Sequence, residues 1–432
     1  MNSQLPGQYN VLDLFSGAGG LTEGFIRAGF NIVSHVEMDA YASRTLHTRM
    51  LYHKLVRAGK QNIYWQYMNE YDTQGARERF LRKCSDAGID DYSVINSEIS
   101  FESRDNIANI VFSRLQCLEN KKIDVIIGGP PCQAYSMMRR WDQIKNEYKD
   151  PKGFLYQHYL YYLKLFQPRV FIFENVPGLT SMNDGKRVND IREGFEEAGY
   201  NIDMQILNAA DYGVVQERKR VIFVGWRNPE THPYPDFKKK KLRATIRDLL
   251  MADLPHLQAG EGAVVQEYAD KPTAYLTSSG IRKANPKVVL HHVARPHTEQ
   301  DREIYRIAAR ALDEGKRIKY TELPEELQSH SNKSAFLDRF KVVNPNGCSH
   351  SVVSHLSKDG HYFIHPDVSQ ARSLTVREAA RIQSFPDDYI FEGPRTSQFV
   401  QIGNAVPPLM SRVIADKIME LLDSGNDRRS DS

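Results

Sequence analysis

Val11-Leu12-Asp13-Leu14-Phe15-Ser16-Gly17-Ala18-Gly19-Gly20 decides the fold class of this 432-residue chain. Val11 to Phe15 reads as a short buried strand, and Ser16 to Gly20 as a glycine-rich turn. An amphipathic helix follows, with Leu21, Phe25 and Ile26 on one face. Phe30 to Val36 is then a second strand, closed by Glu37-Met38-Asp39. Strand, glycine loop, helix, strand and acid form the opening of a Rossmann-like α/β unit. A dinucleotide fingerprint needs a third glycine at position 22, where this chain has Thr22. A cofactor whose pyrophosphate rests on the helix N-terminus is therefore disfavoured. The pattern suits a nucleoside cofactor without phosphates instead. Gly17 and Gly19 allow close backbone approach, Glu37 can take both ribose hydroxyls, and Met38 can lie against an adenine face. The plainer alternative for Glu37 is a solvated acid at a strand end.

A second stretch, Ile126-Ile127-Gly128-Gly129-Pro130-Pro131-Cys132, is another buried strand running into a stiff turn. Cys132 is the first side chain past it, where open α/β sheets bind ligands. A nucleophile and a free core cysteine both fit that position. Val170 to Phe173 is apolar throughout and leads into Glu174-Asn175-Val176, so Glu174 sits at the mouth of a buried strand. It is placed for acid–base work or for capping the next turn. Gln216-Glu217-Arg218-Lys219-Arg220 precedes a strand at Val221 to Gly225. Arg218 and Arg220 alternate on one face and can offer donors in the cleft, unless this is a solvated basic turn.

Composition narrows the class. A hydrophobic fraction of 41% and a charged fraction of 26% are those of an ordinary soluble protein. Cys84, Cys117, Cys132 and Cys348 form no CxxC pair, which disfavours a disulfide framework or a zinc site and suits a reducing compartment. No apolar run approaches membrane-spanning length, and no leader precedes the first strand, so a soluble, intracellular protein is expected. The chain has a net charge of +3, while Asn228 to His350 holds 20 Lys and Arg against 16 Asp and Glu. The positive excess therefore lies in one internal segment, which permits nucleic-acid binding. Residues 1–226 are expected to form one α/β domain, with a helical insertion at about 47–122 and completion by 396–432. Residues 227–395, with no further βαβ repeat, read as a smaller, irregular domain.

Six motifs occur in order. They are Asp13-Leu14-Phe15-x-Gly17-x-Gly19-Gly20, Pro130-Pro131-Cys132, Glu174-Asn175-Val176, Gln216-x-Arg218-x-Arg220, Arg372-Ser373-Leu374-Thr375-x-Arg377-Glu378 through Phe385-Pro386, and Gly403-Asn404-Ala405-Val406-Pro407-Pro408. Together they resemble the motif set of the DNA (cytosine-5) methyltransferases over residues 11–418, with weaker stretches at 47–122 and 228–335. The resemblance implies a Rossmann-like domain dependent on S-adenosyl-L-methionine, joined to a target-recognition domain at 227–395. It implies methyl transfer to C5 of a flipped-out cytosine in a specific double-stranded DNA sequence, through a covalent Cys132–C6 intermediate. Glu174 would hold the ring N3, Arg220 the carbonyl O2, and Arg218 would steady the thiolate or the nearby backbone.

On the cofactor side, the resemblance gives Phe15 and Met38 to the adenine faces and Glu37 to the ribose. Gly17, Gly19, Pro130, Leu155, Asn404 and Val406 complete the pocket. The family usually carries Gly-Asp-Ile before the catalytic strand; Ser97-Glu98-Ile99 stands there, so Ile99 fits the pattern while Glu98 takes the place of the adenine-binding Asp. Gln133 and Ser136 would lie near the DNA backbone. The same resemblance implies no metal and a monomer in the prokaryotic cytoplasm, with a cognate restriction endonuclease or another defence protein as functional partner. Two rivals stand beside it. A transfer-RNA cytosine-5 methyltransferase would have a short insert after the Gln-x-Arg-x-Arg motif, whereas this one is long. Intact Cys132, Glu174 and Arg220 speak against a catalytically silent DNA-binding protein.

Overall fold

A computed structural model describes residues 9–131, 155–181, 186–229, 232–242, 244–329, 334 and 336–430. The first half runs β1 (Asn10–Leu14), α1 (Gly20–Ala28), β2 (Asn31–Glu37), α2 (Ala40–Arg57), α3 (Asn62–Glu70), α4 (Ala76–Asp86), β3 (Val94–Asn96), α5 (Arg104–Gln116) and β4 (Val125–Gly128). It continues through α6 (Leu155–Phe166), β5 (Val170–Asn175), α7 (Lys186–Glu197), β6 (Tyr200–Asn208) and β7 (Lys219–Arg227). These strands form one seven-stranded sheet in the order β3-β2-β1-β4-β5-β7-β6. Pairing is parallel from β3 across to β5, while β7 inserts antiparallel between β5 and β6. The strand order reverses beside β1, which puts the ligand crevice at the carboxyl ends of β1 and β4.

Continuous apolar runs are required because both faces of the sheet are covered. On one face Val11, Ile127, Ile172 and Val224 pack with Phe25 of α1. On the other, Leu14, Ile126, Phe171 and Phe223 pack with Tyr159 of α6 and Phe195 of α7. The stretch 47–122 does not stand wholly outside these layers. β3 pairs with β2, and Ile107 and Val111 of α5 belong to the second core, so the sheet continues through it. Only α3 and α4 leave the layers. They bury Tyr64 and Phe80 against Leu290 and Ile390 of the other half.

That other half contains α8 (Ile246–Leu250), an antiparallel hairpin of β8 (Gly262–Glu267) and β9 (Val288–Val293), α9 (Glu299–Asp313), α10 (Val376–Ile382) and α11 (Arg395–Asn404). Thr375 caps α10 with Glu378 in a reciprocal capping box, as the sequence suggests. Beside an apolar core that includes Leu249, Phe363 and Phe385, buried arginines pair with acids. Arg372 meets Glu378 at 2.7 Å, and Arg381 meets Asp253 and Asp387 at 2.6 Å each. Phe399 and Ile402 of α11 pack in this second core, so the chain returns to the first one later than residue 396. The return begins at Val406 and continues along α12 (Pro408–Ser430), whose Met410, Ile414 and Ile418 complete the core under α1. The contact is close, since a Cβ on Gly24 would lie 2.2 Å from Ser411 Oγ.

Desolvated histidines are expected to make this half sensitive to acid. Burial pushes the imidazoles of His292, His297 and His350 down to about 4, whereas an unfolded histidine titrates near ~6.5. Below that value the unfolded chain binds more protons than the folded one, so stability is lost as the pH falls from ~6.5 towards 4. Urea midpoints should fall over that window, and His292→Gln with His350→Gln should flatten the fall. A midpoint that rises on acidification would contradict the assignment.

Candidate active site

The crevice is lined from several strand ends. β1 hands over to Phe15, which is half-buried with φ 56°. Ser16 N–H then donates to Val36 O at 3.1 Å, and Gly17 N–H donates to Glu37 Oε2 at 2.7 Å. The other Glu37 oxygen accepts from Asp39 N–H at 2.7 Å. One carboxylate thus fixes the glycine loop against the end of β2, and burial pushes its pKa up. A Cβ on Gly17 would meet nothing within 4 Å, so the backbone here faces open space. Met38, 62% exposed, stands at the rim. Ser97 N–H donates to Glu37 O at 3.1 Å, which brings the exposed Glu98 alongside, while Ile99 turns into the core.

The far end of the chain closes the loop's other side. A Cβ on Gly20 would lie 2.2 Å from Val406 O, so the Asn404–Val406 turn rests against the start of α1. Asn404 is exposed there and Val406 is buried. Leu155 is half-buried as the first residue of α6, and Pro130 is buried. Beneath the loop lies Asp13, which the sequence reading does not single out. It is buried, accepts from the Thr22 hydroxyl, and is pushed up to about 7 by burial. An acid inside an otherwise apolar strand was the available signal.

Beside this crevice, three strand ends approach closely enough to require glycine. A Cβ on Gly128 would lie 2.3 Å from Leu14 O, and one on Gly129 would lie 2.4 Å from Glu174 Oε2. Glu174 is the penultimate residue of β5, inside the strand rather than past it, and pairs with Ile222 of β7. Arg220 Nε lies 2.7 Å from Glu174 Oε1, with the two side chains 11% and 12% exposed. Asn175 locks the arrangement, its Nδ2 donating to Pro130 O at 3.3 Å and its Oδ1 accepting from Val176 N–H at 2.9 Å. It was legible only as the neighbour of Glu174. The described chain reaches Pro131, which is exposed, and Cys132, Gln133 and Ser136 lie outside the described residues.

Arg218 does not share the cleft with Arg220, contrary to the expectation from alternation. It is fully buried and donates to Val352 O, to Ser351 Oγ at 3.3 Å, and to Gly403 O and Ala405 O at 2.9 Å each. Burial and the charge of Arg220 hold its pKa well below the usual arginine value. Gln216 works in the same direction, donating to Ile382 O at 3.1 Å and accepting from Val352 N–H at 2.8 Å. Gln383, absent from the sequence reading, donates to Ile402 O at 2.7 Å and Ala405 O at 3.0 Å. Among the described residues, no group of three or more His, Cys, Asp or Glu side chains is arranged to hold a metal ion.

The sheet order, the glycine loop after β1 and the acid that ends β2 define a Rossmann-like methyltransferase fold. The sequence model for C-5 cytosine-specific DNA methylase matches residues 9–72 and 89–420, and the chain belongs to that family of DNA methyltransferases, which use S-adenosylmethionine. The type II methyltransferase M.Bpa9945I of Bacillus paralicheniformis is 40% identical, over 96% of this chain and 99% of its own. M.DdeI of Desulfomicrobium norvegicum, also a type II methyltransferase, is 33% identical over 95% of this chain and 88% of its own. The fold is also that of a prophage-encoded E. coli protein, with a TM-score of 0.62 at 23% identity, covering 96% of this chain and 100% of the other. Among the described residues, no helix is long and apolar enough to cross a membrane.

Gly129 gives a sharp test of the packing. Gly129→Ala forces its methyl onto the Glu174 carboxylate and displaces either that group or the Pro130 turn. Methyl transfer should fall by ~10²-fold or more, since shifts of about 1 Å have such effects, while circular dichroism stays unchanged. Activity close to that of the parent protein would show that the close approach is not needed.

Proposed function

We propose that this protein methylates C5 of one cytosine within a specific duplex DNA sequence, through a transient bond between Cys132 Sγ and C6 of a flipped-out base. The observation that carries the proposal is the Glu174–Arg220 pair, 2.7 Å apart and mostly buried, beside the glycine turn that leads to Cys132. The crevice residues fit S-adenosylmethionine. Glu37 suits a ribose, Phe15 and Met38 suit adenine faces, and Gly17 leaves the space open. Asn404, Val406, Leu155, Gly19 and Pro130 would complete its pocket, with Glu98 at the adenine edge. S-adenosylmethionine, when bound, supplies the methyl group.

The chain's own residues do the rest. C5 of cytosine is a weak nucleophile until the ring's conjugation is broken. Cys132 adds as a thiolate to C6, the C5–C6 π pair moves to C5, and N3 holds a proton shared with Glu174. A free thiol near ~8.5 is only a few per cent ionised at neutral pH, so activation on binding is expected. Arg220 donates to the carbonyl O2, and Arg218 fixes the backbone at 352 and 403–405 rather than touching the base. After methylation a base removes the C5 proton, and the C–H electron pair restores the C5–C6 double bond. Cys132 leaves as thiolate and N3 returns its proton. No oxidant or reductant is required.

Extruding the base costs a few kcal/mol. Contacts from residues 227–395, the proposed target-recognition part, and from Gln133 and Ser136 would offset that cost. The relatives' type II names favour a role beside a cognate restriction endonuclease in a prokaryotic cytoplasm, and we propose a monomer. Incubation with labelled S-adenosylmethionine and mixed DNA, followed by base-resolution mapping, should place methyl groups on C5 within one short sequence. Label confined to RNA, or to an exocyclic amine, would overturn the proposal.

A further inference from the structure

The second half of the chain meets α2 and α3 through Leu290 and Gln401 and, most densely in polar contacts, through the buried segment Asp388 to Glu392. Asp388 Oδ1 accepts from Arg49 Nη1 at 2.9 Å. Its Oδ2 accepts from Tyr52 OH at 2.9 Å and from Lys283 Nζ at 2.7 Å. Tyr64 OH donates to Asp388 O at 2.8 Å, and Tyr67 OH donates to Glu392 Oε1 at 2.9 Å. Arg49 also grips Glu23 of α1, at 2.6 Å and 2.9 Å. These groups are buried, with Lys283 alone reaching solvent at 41% exposure. None of them lies in the catalytic or cofactor crevice. The same segment touches the glycine loop, where Tyr389 OH donates to Ala18 O.

A buried carboxylate shared by an arginine, a tyrosine and a lysine is costly to disturb, because losing a cation unbalances buried charge and losing the hydroxyl leaves a buried acceptor unsatisfied. The helical elaboration 62–86 gains its purpose from this contact, since it supplies Tyr64 and Tyr67. We propose that Tyr52, Tyr64, Tyr67 and Lys283 are positioning residues for DNA. They clamp residues 227–395 at the separation from the sheet at which one duplex meets both parts. The proposal rests on the assignment of that segment to DNA recognition. A duplex bridging two parts binds only molecules in which both are correctly placed, so its apparent affinity falls with the fraction in that geometry. The transfer step, once DNA is bound, is untouched.

The test is steady-state methyl transfer by a Tyr52→Phe, Tyr64→Phe, Tyr67→Phe variant. The rings survive, including the Tyr67–Phe80 stack at 4.4 Å, and only the hydroxyls go. The expected result is a KM for DNA raised about five-fold or more, with kcat and the affinity for S-adenosylmethionine unchanged. An unchanged KM, or kcat falling in step with it, would overturn the clamp. Lys283→Met reads the same quantities if the triple variant does not fold. Methylation of RNA instead of DNA by the parent protein would overturn the DNA assignment itself, and is distinguishable from either outcome.

Discussion

The close approach of β1, β4 and β5 at their carboxyl ends is the constraint on which the site depends. Two glycines allow it. Gly128 lets β4 lie against the Leu14 carbonyl, and Gly129 leaves room for the Glu174 carboxylate. Leu14 leads into the glycine loop, Glu174 pairs with Arg220, and in sequence the same turn runs on through Pro130 and Pro131 to Cys132. In the proposed reaction, three chemical tasks are referred to one patch of backbone with no side chain between them. Asn175 then secures the patch through the Pro130 carbonyl. A rigid turn leading to the nucleophile would, in that proposed reaction, leave little reorganisation for the moment of attack.

A second constraint works at longer range. The last helix lies under α1 and belongs to the first core, yet it is reached only after the whole second half has been made. Arg218 and Gln216 hold the join. One guanidinium donates to carbonyls at 352, 403 and 405, so the return of the chain is tied to the strand that carries Arg220. The ordering of the Asn404–Val406 turn against Gly20 follows from the same contacts. The glycine-loop crevice and the Glu174–Arg220 pair thus share a framework built from distant parts of the sequence.

What could be read in the sequence was local. The glycine loop, the acid after β2, the turn before Cys132 and the Thr375–Glu378 cap each depend on neighbours within a few residues, and each has a signature of spacing. Long-range facts were hidden. Nothing in Lys219–Arg227 says that it inserts antiparallel between two earlier strands. Alternation put Arg218 beside Arg220 in the cleft, but acceptors more than 130 residues away draw it inward. The 47–122 stretch looked like an insertion because local periodicity can suggest β3 and α5 but does not say that they join the sheet layers. The grip of Tyr64 and Tyr67 on residues 388–392 likewise joins segments more than 300 residues apart.

In the proposed reaction the glycine turn presents Cys132 to C6 of an extruded cytosine. This is tested most directly by trapping the protein on duplex DNA carrying 5-fluorocytosine with S-adenosylmethionine, then locating the bond by peptide mass spectrometry. The fluorine cannot leave as the C5 proton would, so the adduct persists. The account predicts a DNA-linked peptide attached through Cys132, absent from Cys132→Ala. A covalent link through Cys84, Cys117 or Cys348, or its persistence in that variant, would contradict it.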